Sequence, residues 1–315
     1  MAGIITDFFG YRANDTSVLA QEAAAKKLCP FLHGTCTKRL SDGEISGACA
    51  VKQVTSQEPV ICCPNRLYAD DYRILSLVAE RTFGRELRLY AGRAAVAEAK
   101  RAGGAVAVFG HGWGGELRLP QRNGSGSYFA DWVLALLDDQ GKLQEFTSIE
   151  VQTIDTTGNY RASRSALLED RSVVPSKMGL NWENVSKRII PQLVYKGQIL
   201  QRESLCKSGL WFVTPVPVYE RIVSRLGGEE NLTFGYAPQP GALHFLQYDY
   251  SATDGAHLGG IPAPLEVRGE EITTVEKVQQ AFANVRLPDP GVYGKALRIA
   301  LFGENEGDRY QVVEL

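Results

Sequence analysis

The sequence predicts a mixed α/β (α+β) protein in which helices flank a central mixed sheet. Two observations carry the prediction. Apolar stretches alternate as strands do, GAVAVFG and DWVLALLDDQGKLQEFTSIEVQT above all. Helical segments with capping residues or glycine stops lie on both sides of them. The totals agree: 315 residues, 44% hydrophobic and 22% charged, describe an ordinary globular chain able to bury a sizeable core.

In chain order, DTSVLAQEAAAKKL reads as a helix capped by Asp15, Thr16 or Ser17. Residues 29–66 are rich in Gly and Ser and poor in helix signals. ADDYRILSLVAERTFG is a helix that stops at Gly84, and RAAVAEAKRAGG another that stops at a glycine pair. GAVAVFG is a short buried strand. ELRLP and then SYFADWVLALLDDQGKLQEFTSIEVQTID are strands, with a tight turn at Asp138 to Gly141. TTGNYRASRSALLEDRSVVPSKMG is a polar segment with no element assigned. NWENVSKRIIPQLVYKGQILQRES is mostly helical, kinked or divided at Pro191. LWFVTPVPVYERIVSRLGG reads as strand, turn and helix. In the last ninety residues LHFLQYDYS and ALRIALFG carry strand signals and TVEKVQQAFANV a helix signal. The chain divides into an N-terminal segment, 1–68, and a second region, 69–315.

Net charge is −2, so no global electrostatic case exists for a nucleic-acid partner, although 34 Lys and Arg leave room for a local basic surface. No apolar run reaches the roughly 18 residues that a membrane helix needs. The N-terminus MAGIITDFFGYRAND lacks the basic head and apolar stretch of a signal peptide. The expectation is a cytoplasmic protein of bacterial type with no membrane partner. In a reducing compartment a cysteine cluster reads better as a metal site than as disulfides. Five of the six cysteines lie between residues 29 and 63. Cys29, Cys36, Cys49 and either Cys62 or Cys63 suffice for a closed tetrahedral iron or zinc site, which would be structural because it leaves no open position. The competing reading is a set of buried free thiols in a small core. His33 reads as a loop residue.

GHGWGG, Gly110 to Gly115, follows a strand and matches the dinucleotide-binding glycine pattern. The residues after it, ELRLPQRNGSGSYF, are strand and turn, so no helix N-terminus is expected to receive a phosphate. Neither a Walker A sequence nor G-x-S-x-G occurs.

The carboxylates are more informative. Alternation puts Ile149 and Val151 on one face of their strand, and Glu150 and Gln152 on the other. If the two segments pair about the Asp138–Gly141 turn, Asp131 and Glu150 share the open end of a hairpin, where they can hold a hard divalent cation such as magnesium. The competing reading makes Asp131 a surface residue and Glu150 and Gln152 the solvated face of an edge strand.

Asp131 on one strand and Glu150-Val151-Gln152 on the next resemble the PD-(D/E)xK nuclease motif, with Gln152 at the Lys position and Ala130 at the Pro position. Together with the cysteine segment, ICCPNRL and GWGGEL, they resemble the NotI-like type II restriction endonucleases over roughly residues 5–225. The resemblance implies a mixed α/β nuclease core and an iron held by Cys29, Cys36, Cys49 and Cys63, Cys63 being preferred because it directly precedes Pro64. It also implies magnesium-dependent double-strand cleavage of a GC-rich palindrome by a homodimer, with a cognate DNA methyltransferase as functional partner. Carried onto this chain, the catalytic residues are Glu116, Asp131, Glu150 and Gln152. Asp131, Glu150 and the Val151 carbonyl would bind magnesium, Glu116 would hold a second ion or orient a metal-bound water, and Gln152 would orient the attacking water. Candidate DNA contacts are Arg12, Tyr160, Arg161, Arg164, Lys187 and Arg188. The alternatives are a non-catalytic metal-stabilised DNA-binding protein and, third, a glycoside hydrolase using Glu116 and Glu150.

Overall fold

Strand alternation decides which side of the main sheet each helix covers, and that in turn places the acids. The computed structural model describes residues 2–54, 58–84, 86–119, 128–251, 259–285 and 287–303. The N-terminal segment contains β1 (Gly3–Phe8), β2 (Tyr11–Arg12), α1 (Val18–Ala25), β3 (Leu28–Cys29), β4 (Gly34–Thr35), β5 (Ala48–Gln53) and β6 (Val60–Ile61). An antiparallel sheet of order β2-β1-β5-β6 backs it. Of the three predicted caps for α1, Ser17 does the capping: its hydroxyl accepts from the Ala20 N–H at 3.3 Å.

A 3₁₀ turn, Pro64–Tyr68, leads into α2 (Ala69–Phe83). Asp70, Asp71 and Tyr72 take left-handed φ angles of 56°, 54° and 60°, so the regular right-handed helix begins only after them. Then come β7 (Leu89–Ala91), α3 (Ala94–Ala102), β8 (Ala105–Gly110), β9 (Arg118–Leu119), β10 (Tyr128–Phe129), β11 (Trp132–Leu137) and β12 (Leu143–Val151). They are followed by β13 (Thr156–Asn159), α4 (Arg161–Glu169), β14 (Lys177–Leu180) and a π-helical turn, Val185–Ile189, that runs into α5 (Ile190–Leu200). The chain closes with β15 (Leu210–Pro215), α6 (Val216–Arg225), β16 (Ala242–Tyr250), β17 (Leu265–Thr274), α7 (Val275–Ala283) and α8 (Val292–Phe302).

The central sheet has the order β17-β16-β15-β12-β11-β8-β7. It is mixed: β7 with β8, β12 with β15 and β15 with β16 are parallel, and the other neighbours antiparallel. On one face Ile149, Val151, Trp211, Val213 and Leu246 pack with Ile74, Leu75 and Val78 of α2. On the other, Leu210, Phe212, Leu243 and Phe245 pack with α5, α6 and α7. That second core continues into Phe8, Phe9 and the cysteines, so the N-terminal segment shares it. The predicted turn is present, with the Gly141 N–H donating to the Asp138 carbonyl at 2.9 Å and the Asp138 carboxylate accepting from the Gln140 and Lys142 N–H groups.

Three expectations need correction. The polar segment after residue 154 forms β13, α4 and β14, held by tertiary contacts that its composition does not announce. ALRIALFG is helical, in α8, where its Ala, Leu and Arg are strong helix formers. No turn separates β15 from α6, since Pro215 ends the strand and caps the helix. Pro191 divides its helix as expected: it has no N–H to bond back, and the π turn lies directly before it. For ELRLP the strand is reduced to Arg118–Leu119, and Pro120 lies outside the described residues.

His244 on β16 stacks on Trp211 with ring centroids 4.2 Å apart, and its Nε2 donates to the Ser208 carbonyl at 2.8 Å. Its Nδ1 is buried without a hydrogen-bond partner, and the Glu270 carboxylate, 3.8 Å away, does not outweigh that: burial brings the imidazole down to about 4. The unfolded chain takes up the proton near its ordinary value of about 6.5. This histidine's stabilising effect is therefore complete above about pH 6.5 and is lost as pH falls toward 4, by up to about 3 kcal/mol. His244→Phe, which keeps the stack, should flatten that slope, as read from urea unfolding of both proteins at pH 7.5, 6 and 4.5. An unchanged slope would show that the imidazole is charged in the fold.

Candidate active site

Hairpin pairing brings the two central acids together. In the β11–β12 register Trp132 faces Ile149, so Asp131 and Glu150 sit next along at the open end. The Val151 N–H donates to Asp131 Oδ2 at 2.8 Å, which fixes the aspartate against the glutamate's strand. Glu150 is only 7% exposed, which rules out the solvated edge-strand reading. β12 is an interior strand, with β11 on one side and β15 on the other.

Two carboxylates in one dry place disfavour ionisation. Burial first, and then the neighbouring Asp131, push the Glu150 carboxyl up to about 7. Asp131 is raised as well, by burial, against the opposing pull of the Val151 N–H and Lys196, with Glu116 adding repulsion. Glu116 is therefore electrically part of the group, although it is exposed and 3.6 Å from His111 Nδ1. A fourth group also joins them. The Lys196 ammonium, from α5, lies 2.5 Å from Glu150 Oε2. The contact is close but misdirected, and that oxygen has no hydrogen bond of proper geometry.

Gln152 follows β12 and is sewn to β15: its N–H donates to the Val213 carbonyl at 3.0 Å and its carbonyl accepts from the Thr214 hydroxyl at 2.8 Å. Its side-chain amide donates to the Thr153 carbonyl at 2.7 Å. Tyr68, at the end of the 3₁₀ turn, borders the pair. Burial and the charges of Asp131 and Glu150 raise its phenol above the usual range. Tyr72, Trp113 and Trp132 pack with it in one aromatic cluster.

The strand-turn GHGWGG closes on itself, with Gly110 and Trp113 exchanging backbone hydrogen bonds of 2.9 and 3.2 Å. The described residues directly after it, 116–119, hold no helix, and 120–127 lie outside the described residues. Gly114 is needed here: at φ +79°, an added Cβ would lie 2.0 Å from the Val108 carbonyl oxygen.

Cys29, Cys36, Cys49, Cys62 and Cys63 are all buried in one core. Cys49 donates to Cys63, and that bond, helped against burial by Lys38 and the Asn65 and Arg66 N–H groups, brings the Cys63 thiol down to about 6. Phe31 and Leu32 N–H groups face the Cys29 sulfur, and those of Lys38 and Gly47 the Cys36 sulfur. Cys62 differs: its sulfur lies 3.3 Å from the Lys38 ammonium. Among the described residues, no three His, Cys, Asp or Glu side chains close around one point at ligand geometry.

The candidate DNA contacts are dispersed. Arg12 pairs with Asp7 at 3.1 Å and lies over the Tyr250 ring. Tyr160 is buried, its hydroxyl 3.0 Å from Ser46. Arg161 pairs with Asp42 at 2.5 Å, and Arg164 donates to the Ile45 carbonyl at 2.8 Å. These four tie the N-terminal segment down rather than stand free. Lys187 and Arg188 are exposed, beside Glu183 and Asp155.

The family model for restriction endonuclease NotI matches residues 14–207, more than half of the chain. The chain belongs to the NotI restriction endonuclease family. No individual curated protein matches it. As a family member the chain is a type II, site-specific deoxyribonuclease that binds and cuts DNA. The matched span contains every thiol, all four predicted catalytic residues and Lys196. Among the described residues no helix is long and apolar enough to cross a membrane.

Lys196 and Tyr68 escaped the sequence reading. Lys196 did leave a trace, a lone cation on the apolar stripe Ile189, Leu193, Leu200, whereas Tyr68 left none. For the NotI-family site, Asp131→Asn should keep an acceptor for the Val151 N–H and hold stability within about 1 kcal/mol, while Asp131→Ala strands that donor and costs about 1–3 kcal/mol. Both should lose cleavage by at least about a thousandfold. Urea unfolding in EDTA and plasmid nicking rates would show this. Wild-type cleavage in either variant would remove Asp131 from the site.

Proposed function

We propose that this restriction endonuclease has a PD-(D/E)xK-type core and cuts a GC-rich palindrome as a magnesium-dependent homodimer, with a cognate DNA methyltransferase as functional partner. The observation that carries the catalytic part is the pairing of Asp131 with the Glu150 strand through the Val151 N–H. The donor set suits magnesium: two adjoining carboxylates, one with an oxygen that no hydrogen bond directs.

Held by Asp131, Glu150 and the Val151 carbonyl, the ion would supply the attacking hydroxide and relieve charge on the pentavalent phosphate. The chain's own groups do the remaining work. The Val151 N–H fixes the Asp131 carboxylate. Glu116, at the exposed rim, holds a second ion or orients water. Gln152 gives one amide N–H to the Thr153 carbonyl, which holds the amide so that its oxygen can accept from and orient the attacking water. Lys187 and Arg188 are the exposed candidates for phosphate contact.

For the N-terminal segment, 1–68, we propose a structural iron or zinc bound by Cys29, Cys36, Cys49 and Cys63. Burial raises the Cys29 and Cys36 thiols against the backbone N–H groups that face them, and Cys63 alone of the three is brought down, to about 6, toward thiolate, the metal-binding form. Cys62 is occupied by Lys38.

Incubation of the purified protein with phage and plasmid DNA, with magnesium and with EDTA in parallel, tests the main reading. Discrete bands in magnesium alone are expected, and sequencing their ends reads the site. DNA bound but left intact on all templates would favour the non-catalytic alternative. Gln152→Ala should retain DNA binding in gel shifts and lose cutting by about a hundredfold or more. Full cutting would end its proposed role. Metal analysis by mass spectrometry should find one iron or zinc per chain in Cys62→Ser and none in Cys63→Ser. The reverse result would exchange the two assignments.

A further inference from the structure

Lys196 is a buried lysine, only 5% exposed. It occupies a position where an apolar helix needs none. Ile189, Leu193, Lys196 and Leu200 fall on one stripe, and the other three fill the core against the sheet. An ion pair in such a place is a poor source of stability, because desolvating both charges offsets their attraction. A leucine or methionine there would serve the fold as well.

The surroundings hold the lysine in depth. Gly197, next to it, lets α5 lie close on its neighbours: an added Cβ would stand 2.3 Å from Val275 Cγ2 and 3.3 Å from Leu243 Cδ2. The helix so placed directs the Lys196 ammonium to 2.5 Å from Glu150 Oε2, and it bears on Asp131 too. The strand position two residues after Glu150, meanwhile, carries an uncharged Gln152 whose amide N–H is turned onto Thr153.

We infer that Lys196, delivered from α5, supplies the positive charge that Glu150-Val151-Gln152 lacks, and that it is a positioning residue acting through Glu150. This rests on the nuclease reading above. The ammonium holds the buried Glu150 carboxylate in place while no cation is bound. A divalent cation arriving at Glu150 meets that ammonium and competes with it. A lysine kept only for structure would repel the cation as well, but returning its charge at residue 152 would not then restore cleavage.

Three measurements on the full chain test this, using wild type, Lys196→Met and Lys196→Met with Gln152→Lys. Calorimetric titration with calcium alone, at a pH where Glu150 is ionised, reads the competition. Lys196→Met should bind calcium at least about tenfold more tightly, since two cations a few ångströms apart repel strongly in a partly dry site. Gel shifts in calcium should show DNA binding within about threefold of wild type. Cleavage in magnesium should fall about a hundredfold or more in Lys196→Met and recover at least about tenfold when Gln152→Lys returns the charge to the strand. Calcium affinity unchanged or weakened in Lys196→Met, wild-type cleavage in that variant, or no recovery in the double variant would each overturn the assignment. If Lys196→Met melts below the assay temperature, Lys196→Gln, which keeps a polar side chain beside Glu150 without charge, is read in the same assays. Failure of the nuclease reading looks different: the wild type itself would then cut no DNA in magnesium.

Discussion

Two carboxylates and one ammonium, gathered where the sheet excludes water, are the constraint around which this molecule is arranged. Asp131 and Glu150 would repel each other beyond tolerance if nothing opposed them. The opposition comes from a backbone donor on one side, the Val151 N–H, and from a helix on the other, through Lys196. Both depend on long-range order. The first needs the β11–β12 register, in which a one-residue slip would send Glu150 to the α2 face. The second needs α5 laid closely against α7 and β16, which Gly197 permits.

The cysteine segment reaches this centre by a short route. Cys63 is followed at once by the 3₁₀ turn Pro64–Tyr68, and Tyr68 at its far end borders the acids. The same turn presents Arg66, wholly buried, which donates to the Ala263 carbonyl and lies over the Phe31 ring. Asp7 of β1 pairs with Arg12 and accepts from Tyr250 at the end of β16. Thus the segment is fastened by polar contacts at both of its ends, to the end of β16 at one and to the stretch before β17 at the other. Its small thiol-lined core is a continuation of the larger one.

How much of this the chain announces depends on the range of the interaction. The hairpin was legible because its signals are local: Asp138 and Gly141 in the turn, and alternation that assigns Glu150 and Val151 to opposite faces. Lys196 was not, since a lysine in a helical pattern reads as solvated until the face it occupies is known. The bonds of Tyr160, Arg161 and Arg164 were hidden for a similar reason: beside the acids in sequence, these residues look free. Their partners Ser46, Asp42 and Ile45 lie more than a hundred residues away. The α4 and β13–β14 elements share that dependence on distant partners. α8 went astray on a different ground, because a short apolar run fits a strand or a helix equally well.

The two borders of the central sheet also matter for the fate of the protein in a crowded solution. β7 is only three residues long. β17 is ten, but it carries Glu266, Arg268, Glu270 and Glu271, and the Ile272 carbonyl on it is taken by the Tyr236 N–H. A sheet that stays open in this way has no closure to protect it, so it relies on brevity at one border and charge at the other to discourage strand-to-strand aggregation.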